Sequence, residues 1–207
     1  AVLRQWPLAT TDISKAFLQG VTYEELAKQT GEPLREVNFV LPAHCIPALR
    51  KCKGFESFDP RKEVLHCVKP GTGCNDAPRC FSMKLGHTTK TKCKMVSCTV
   101  DNELLFLHDA DGTLLAIMCI HVDDLKLAGS RETIIRILKM IEIDFGQLKI
   151  DWHSFTNCGV RHIQDPTTFE VTLDQTEYIS GISVIVDPGL RNLPSDDYCT
   201  QQVHDQY

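Results

Sequence analysis

No stretch of this 207-residue sequence holds the roughly 20 consecutive apolar residues that a membrane-spanning helix requires. Its first residues, Ala1-Val2-Leu3-Arg4-Gln5-Trp6-Pro7, lack the apolar core and cleavage site of a signal peptide. The ten cysteines include no Cys-x2-Cys pair, which argues against a zinc module built from Cys67, Cys74, Cys80, Cys93, Cys98 and His66. The chain is also long for a disulfide scaffold. The cysteines therefore read as reduced, mostly buried thiols of an intracellular protein, cytoplasmic or nuclear. Internal repeats and low-complexity tracts are absent. There is no initiator Met, and the abrupt start reads as a fragment of something longer.

What is present is ordinary in bulk, with 43% hydrophobic and 24% charged residues, values typical of a globular domain. The net charge of −5 argues against a nucleic-acid partner, but its distribution argues for one. Residues 50–94 hold eleven Lys and Arg against four acids, half of all the bases in the chain. Residues 151–207 hold two bases against nine acids. The basic block is either an electrostatic footprint for a phosphate backbone or a solvated face without a partner.

One stretch breaks a local rule. Residues 114–122 form an uncharged run, the length of a strand buried on both faces, and it stops at two adjacent carboxylates, Asp123 and Asp124. A shorter apolar segment, 125–128, follows and closes at Gly129. Asp-Asp is a poor tight-turn sequence, since hairpin turns favour Asn-Gly, Asp-Gly or Gly-X. Paired like charges at the end of a buried strand point to function, most simply to a divalent cation. Asp12, at the end of another apparent strand, is the candidate third carboxylate. Spacing alone does not place it beside the pair.

Around these residues the pattern predicts mixed helix and strand. A strand ends near Asp12, a helical turn runs through Phe17 and Leu18, and Gly20 stops it. Residues 22–29 read as a helix, 36–41 as a strand, 44–53 as a helix and 64–68 as a strand. Asp76 stands as an N-cap ahead of a helix carrying Arg79, Phe81 and Leu85, and residues 86–94 read as a loop. Residues 99–108 and 114–122 form a hairpin around Asp109-Ala110-Asp111-Gly112. A helix over 131–145, capped by Ser130, presents Ile134, Ile137, Leu138, Ile141 and Phe145 as one core stripe. Strands follow at 160–163 and 169–173, and a short helix starts near Gln175. Residues 187–207 read as a loose polar tail.

In this order the motifs resemble the reverse transcriptase domain of copia-type long-terminal-repeat retrotransposons. Asp12-Ile13-Ser14-Lys15-Ala16-Phe17-Leu18-Gln19-Gly20 is similar to the family's Asp-Val-x-x-Ala-Phe-Leu-x-Gly. Glu36-Val37-Asn38-Phe39-Val40-Leu41-Pro42, with Gly54-Phe55, resembles the strand and Pro…Gly-Phe that follow. Gly73-Cys74-Asn75-Asp76-Ala77-Pro78-Arg79 resembles Gly-Leu-Lys-Gln-Ala-Pro-Arg. Ile120-His121-Val122-Asp123-Asp124-Leu125, closed by Ala128-Gly129, resembles the Tyr-Val-Asp-Asp box. Phe145-Gly146-Gln147-Leu148 and Leu173-Asp174-Gln175-Thr176-Glu177-Tyr178-Ile179 resemble segments trailing the palm. The likeness covers roughly residues 8–180.

The resemblance implies an α+β fold over residues 1–186, a palm of small antiparallel sheet backed by helices, with the fingers missing at the N-terminus. It implies an RNA-directed DNA polymerase in which Asp12, Asp123 and Asp124 ligate two Mg²⁺ ions, with this fragment, lacking the fingers and the ribonuclease H domain, expected to be inactive or very weak alone. Phe17 takes the place of the steric gate under the incoming sugar. Gly73, Asp76, Pro78 and Arg79 border the nucleotide and template. The implied partners are an RNA or DNA template-primer, deoxynucleoside triphosphates and the rest of a Pol polyprotein, with no membrane. Two departures stand out: His121 replaces the usual Tyr, and Asp76 replaces the usual Gln and adds negative charge beside a polyphosphate site. The alternative is an inactive retroelement remnant that at most binds nucleic acid through residues 50–94.

Overall fold

A computed structural model describes residues 2–182; the polar tail expected over 187–207 lies outside the described residues. The chain opens with a 3-10 turn at Val2–Arg4, followed by strand β1 (Leu8–Asp12), a second 3-10 turn at Ala16–Leu18 and helix α1 (Tyr23–Thr30). Strands β2 (Asn38–Phe39) and β3 (Leu65–His66) form a two-stranded ribbon on either side of the single-turn helix α2 (Ile46–Leu49). Helix α3 (Ala77–His87) leads to β4 (Val96–Ser97), β5 (Leu104–His108), β6 (Leu114–His121) and β7 (Asp124–Gly129). Helix α4 (Arg131–Phe145) precedes β8 (Asp151–Trp152), β9 (Ser154–Asn157), β10 (Val160–Gln164), β11 (Val171–Asp174) and α5 (Thr176–Ser180).

The fold is α+β, and its centre is a six-stranded antiparallel sheet in the order β4-β5-β6-β7-β1-β8. Period-2 alternation in β6 and β7 divides the sheet into two faces. Ala116, Met118 and Ile120 of β6 and Leu125 and Leu127 of β7 point to one face and are buried. There they meet the Ile134, Ile137, Leu138, Ile141 and Phe145 stripe of α4 and Phe81 and Leu85 of α3. Burial of that stripe, at roughly 1.5–3 kcal/mol per large apolar side chain, is the main force holding helices to sheet. Among the described residues helices cover only this face, so β6 is not buried on both faces as its uncharged run suggests. Its other face carries Ile117, Cys119 and His121, from half-buried to exposed.

Local chemistry sets the helix ends. Ser130 Oγ accepts the Thr133 N–H and starts α4. Thr22 and Glu25 form a reciprocal capping box for α1, which ends at Gly31 with φ +72°. Gly20 has a different role from the expected helix stop. A Cβ there would come within 2.8 Å of Cys80 Cβ and 2.9 Å of the Cys80 carbonyl carbon and the Phe81 nitrogen. Its missing side chain lets residues 20–21 run against α3, where the Val21 N–H bonds the Cys80 carbonyl at 3.2 Å.

Several elements differ from the sequence pattern. Residues 86–94 are not a loop: α3 continues into a π-helical turn at Thr88–Lys92. The threonine hydroxyls bond back to earlier carbonyls, Thr88 to Lys84 and Thr91 to His87. Asp144 also anchors this turn, accepting from Thr88 Oγ1 at 2.6 Å and from Lys92 Nζ at 2.5 Å. The strands expected at 36–41 and 64–68 shrink to the two-residue partners β2 and β3. The helix expected over 44–53 shrinks to a 3-10 turn at Ala43–Cys45 and α2. These pieces lie on the surface, where little apolar burial reinforces them.

A second sheet, β11-β10-β9, docks on the edge of the first through Gln164, which is 3% exposed. Its Oε1 accepts from the Leu8 N–H at 2.7 Å, and its Nε2 donates to the Trp6 carbonyl at 3.0 Å. Gly20→Ala is expected to destabilise the chain by about 1–3 kcal/mol through overpacking against α3 backbone; a drop in the urea midpoint at unchanged slope is the readout.

Candidate active site

The register of β1 against β7 places Asp12 directly opposite Asp124, and the register of β7 against β6 places Asp124 opposite His121. Residues directly opposite on antiparallel strands share a face and lie about 4.5–5.5 Å apart at Cβ. Asp12, Asp124 and His121 therefore form one row across three strands, on the face away from the helices. The next row, Thr10, Lys126 and Cys119, lies behind it. Asp123 belongs to the two-residue loop that joins β6 to β7. Its carbonyl accepts the Ile13 N–H at 3.1 Å, which pins the loop to the end of β1.

Val122 and Asp123 thus make the tight turn that the Asp-Asp sequence disfavours. Val122 has φ +57° and Asp123 is not among the positive-φ residues, the sign pattern of a type II′ turn, whose first position is normally Gly. A β-branched residue in this region costs on the order of 1–3 kcal/mol. The surrounding pairing holds it there. The strain sits where the two carboxylates project, as is common at functional sites.

The electrostatics agree with the register. Asp12 sits above the ordinary carboxylate range, through partial desolvation at the strand end and then through the charges of Asp123 and Asp124. None of the three carboxylates takes part in an ion pair among the described residues. Asp12 and Asp124 share a face, and the charges of Asp123 and Asp124 both act against ionisation of Asp12, which is the charge pattern a divalent cation relieves. Among the described residues no three His, Cys, Asp or Glu side chains are drawn together tightly enough to enclose an ion. The backbone brings the triad together, while the side chains remain spread.

Behind the row, Lys126 Nζ lies 3.2 Å from His162 Nε2. His162 is 6% exposed and stacks on Phe155. Burial and then the Lys126 charge hold its imidazole below the usual histidine range. It is neutral, with Nδ1–H donating to the Val160 carbonyl at 2.9 Å, so Nε2 accepts from the ammonium.

A cleft of about 850 Å³ opens between α3 and the β6–β7 turn. Pro78, Ser82, Gly86 and Lys90 line one side, and His121 and Val122 the other. Phe17 is partly buried at the edge of the main core. Gly73 has φ +91° with open space beside it.

Asp76 and Arg79 are not turned toward this cleft. The Asp76 backbone is helical (φ −84°, ψ −13°) and its side chain does not cap α3; it pairs with Arg35 Nη1 at 2.5 Å. Arg79 gives both terminal nitrogens to Glu32, at 3.0 and 2.9 Å. Arg35 thus neutralises the Asp76 charge. Sequence reasoning missed Glu32 and Arg35, whose only signal was opposite charge at the three-residue spacing of Asp76 and Arg79. Internal contacts also draw on the basic block: Arg50 donates to the Phe58 carbonyl, Lys84 to the Asp144 carbonyl, and Lys92 pairs with Asp144.

A raised carboxyl favours the protonated form in the fold, so its charge opposes folding once pH exceeds the folded pKa, and stability is recovered as pH falls through it. Asp12→Asn is therefore expected to raise the metal-free Tm slightly at pH 7, solvent screening keeping the effect small. The gap closes as the pH falls below the carboxylate range; thermal melts from pH 3 to 8 read it directly. Comparison of the chain with protein-family models, with curated proteins and with solved structures finds no match.

Proposed function

We propose that this chain is the palm of an RNA-directed DNA polymerase of the copia-type retrotransposon class. It transfers a deoxynucleotide to a primer 3′-hydroxyl on an RNA or DNA template. The observation that carries this reading is the in-register placement of Asp12 opposite Asp124, with Asp123 held in a strained turn beside them. The ordered motifs support it independently of the geometry.

Asp12, Asp123 and Asp124 supply hard oxygen ligands for two Mg²⁺ ions, which when bound neutralise the polyphosphate and acidify the attacking hydroxyl. The protein contributes position. Two paired strands hold Asp12 opposite Asp124, and the Ile13 N–H bond to the Asp123 carbonyl holds the backbone of the third acid at the end of β1. Phosphoryl transfer of this kind depends on such positioning and on fixed charge rather than on covalent chemistry from the protein. Phe17 stands five residues after Asp12, on the turn that follows β1, and serves as the gate against a 2′-hydroxyl. His121, opposite Asp124, takes the place of the usual tyrosine at the primer end. The remaining parts of a Pol polyprotein complete the nucleic-acid grip.

In primer extension with Mg²⁺ by the chain with a finger segment restored at its N-terminus, Asp123→Asn is expected to lower the rate by at least about 100-fold, the scale of losing one preorganised electrostatic group. Extension at near wild-type rate contradicts the assignment. Phe17→Ala is expected to retain extension while admitting ribonucleotides about 10- to 100-fold more readily, measured as the ratio of ribo- to deoxynucleotide incorporation.

A further inference from the structure

Two ion pairs tie one loop to the start of α3, and their pattern is reciprocal. Glu32 and Arg35 lie three residues apart on the loop; Asp76 and Arg79 lie three residues apart at the helix start. The acid of each pair meets the base of the other, Glu32 with Arg79 and Arg35 with Asp76. The Glu32 carboxylate takes both terminal nitrogens of Arg79, the fork geometry in which a guanidinium also grips a phosphate. Arg79 draws the Glu32 carboxyl below its usual range, so the pair is fully charged near neutral pH.

The loop is built to leave. It starts at Gly31, a left-handed helix end, and has no regular structure before β2. Residues 31–36 are exposed, and the next firm attachment is the Cys67 N–H bond to the Val37 carbonyl at 2.8 Å. Beneath the loop is a cavity of about 300 Å³, lined by Tyr23, Leu26, Ala27 and Asp76 together with the loop. Tyr23 is 3% exposed, and its hydroxyl finds no hydrogen-bond partner among the described residues. The closed loop therefore seals no well-packed, satisfied interface. Apart from the Glu32 N–H bond to Thr30 Oγ1 at the end of α1, its hold rests on the two ion pairs, which solvent and salt weaken.

We propose that residues 32–35 are an autoinhibitory strap, in which Glu32 occupies Arg79 as a phosphate surrogate and a polyphosphate releases the strap by displacing it. The proposal rests on the polymerase reading only in taking the α3 start as the polyphosphate-facing end. It concerns the regulation of that end.

The test uses the full chain and inorganic tripolyphosphate, without metal or nucleic acid. Calorimetry measures affinity, and the rate of tryptic cleavage after Arg35 reports strap release. Tripolyphosphate is expected to bind and to accelerate that cleavage several-fold. Glu32→Gln should bind it about tenfold tighter and show fast cleavage without it. Arg79→Gln should cleave fast and lose the acceleration by tripolyphosphate. The double exchange Glu32→Arg with Arg79→Glu should restore slow cleavage while losing the response to tripolyphosphate. Equal affinity in wild type and Glu32→Gln, no binding in either, or cleavage that tripolyphosphate leaves unchanged overturns the proposal. Nucleotide incorporation is not measured, so failure of the strap leaves the primer-extension result standing. Failed extension with intact strap behaviour counts against the polymerase reading alone.

Discussion

The register between β1 and β7 is the constraint on which the rest of the molecule depends. Side chains alternate along a strand, so a slip of one residue would turn Asp12 to the helix face and expose Thr11 and Ala9. The core prevents this. Ala9, Leu125 and Leu127 are all but fully buried against α4, and Thr10 Oγ1 bonds the Leu125 carbonyl at 3.0 Å from the opposite face. Apolar burial on one side of the sheet thus fixes the position of charge on the other. The cost appears as desolvation and then carboxylate repulsion at Asp12, and as backbone strain at Val122, both at the same end of the central strands.

The parts of the fold that were legible in sequence are those whose causes are local. Ser130 and a 3.6-residue stripe specify α4, and residues 22–29 are legible as a helix, because caps, periodicity and local composition need no distant partner; the Thr22–Glu25 capping box emerges only in the structure. The β5–β6 hairpin was legible from Asp109 and Gly112 for the same reason. Surface elements were not. The segments at 36–41 and 64–68 have strand-like composition but bury little, and pairing survives at only two positions each. The π-helical turn after α3 depends on Asp144, far along the chain, so residues 88–92 looked like a basic loop.

The candidate site divides along the same line. Asp123 and Asp124 were visible because an acidic pair at the end of an apolar strand violates local expectation. Asp12 became their partner only through strand pairing between distant segments, a tertiary fact that motif order anticipated and spacing did not. Asp76 and Arg79 were visible as motif residues, but their contacts were not, because Glu32 and Arg35 belong to a loop with no motif of its own. Asp76 pairs with Arg35, a residue that no motif in the sequence pointed to.

The central claim is that Asp12, Asp123 and Asp124 act as one cation-holding unit. The most direct measurement is Mn²⁺ binding, followed by electron paramagnetic resonance as Mg²⁺ competes, in the wild-type chain and in Asp124→Asn. The account predicts saturable Mn²⁺ binding that Mg²⁺ displaces and that Asp124→Asn abolishes. Absence of saturable binding, or binding that Asp124→Asn leaves unchanged, would contradict it.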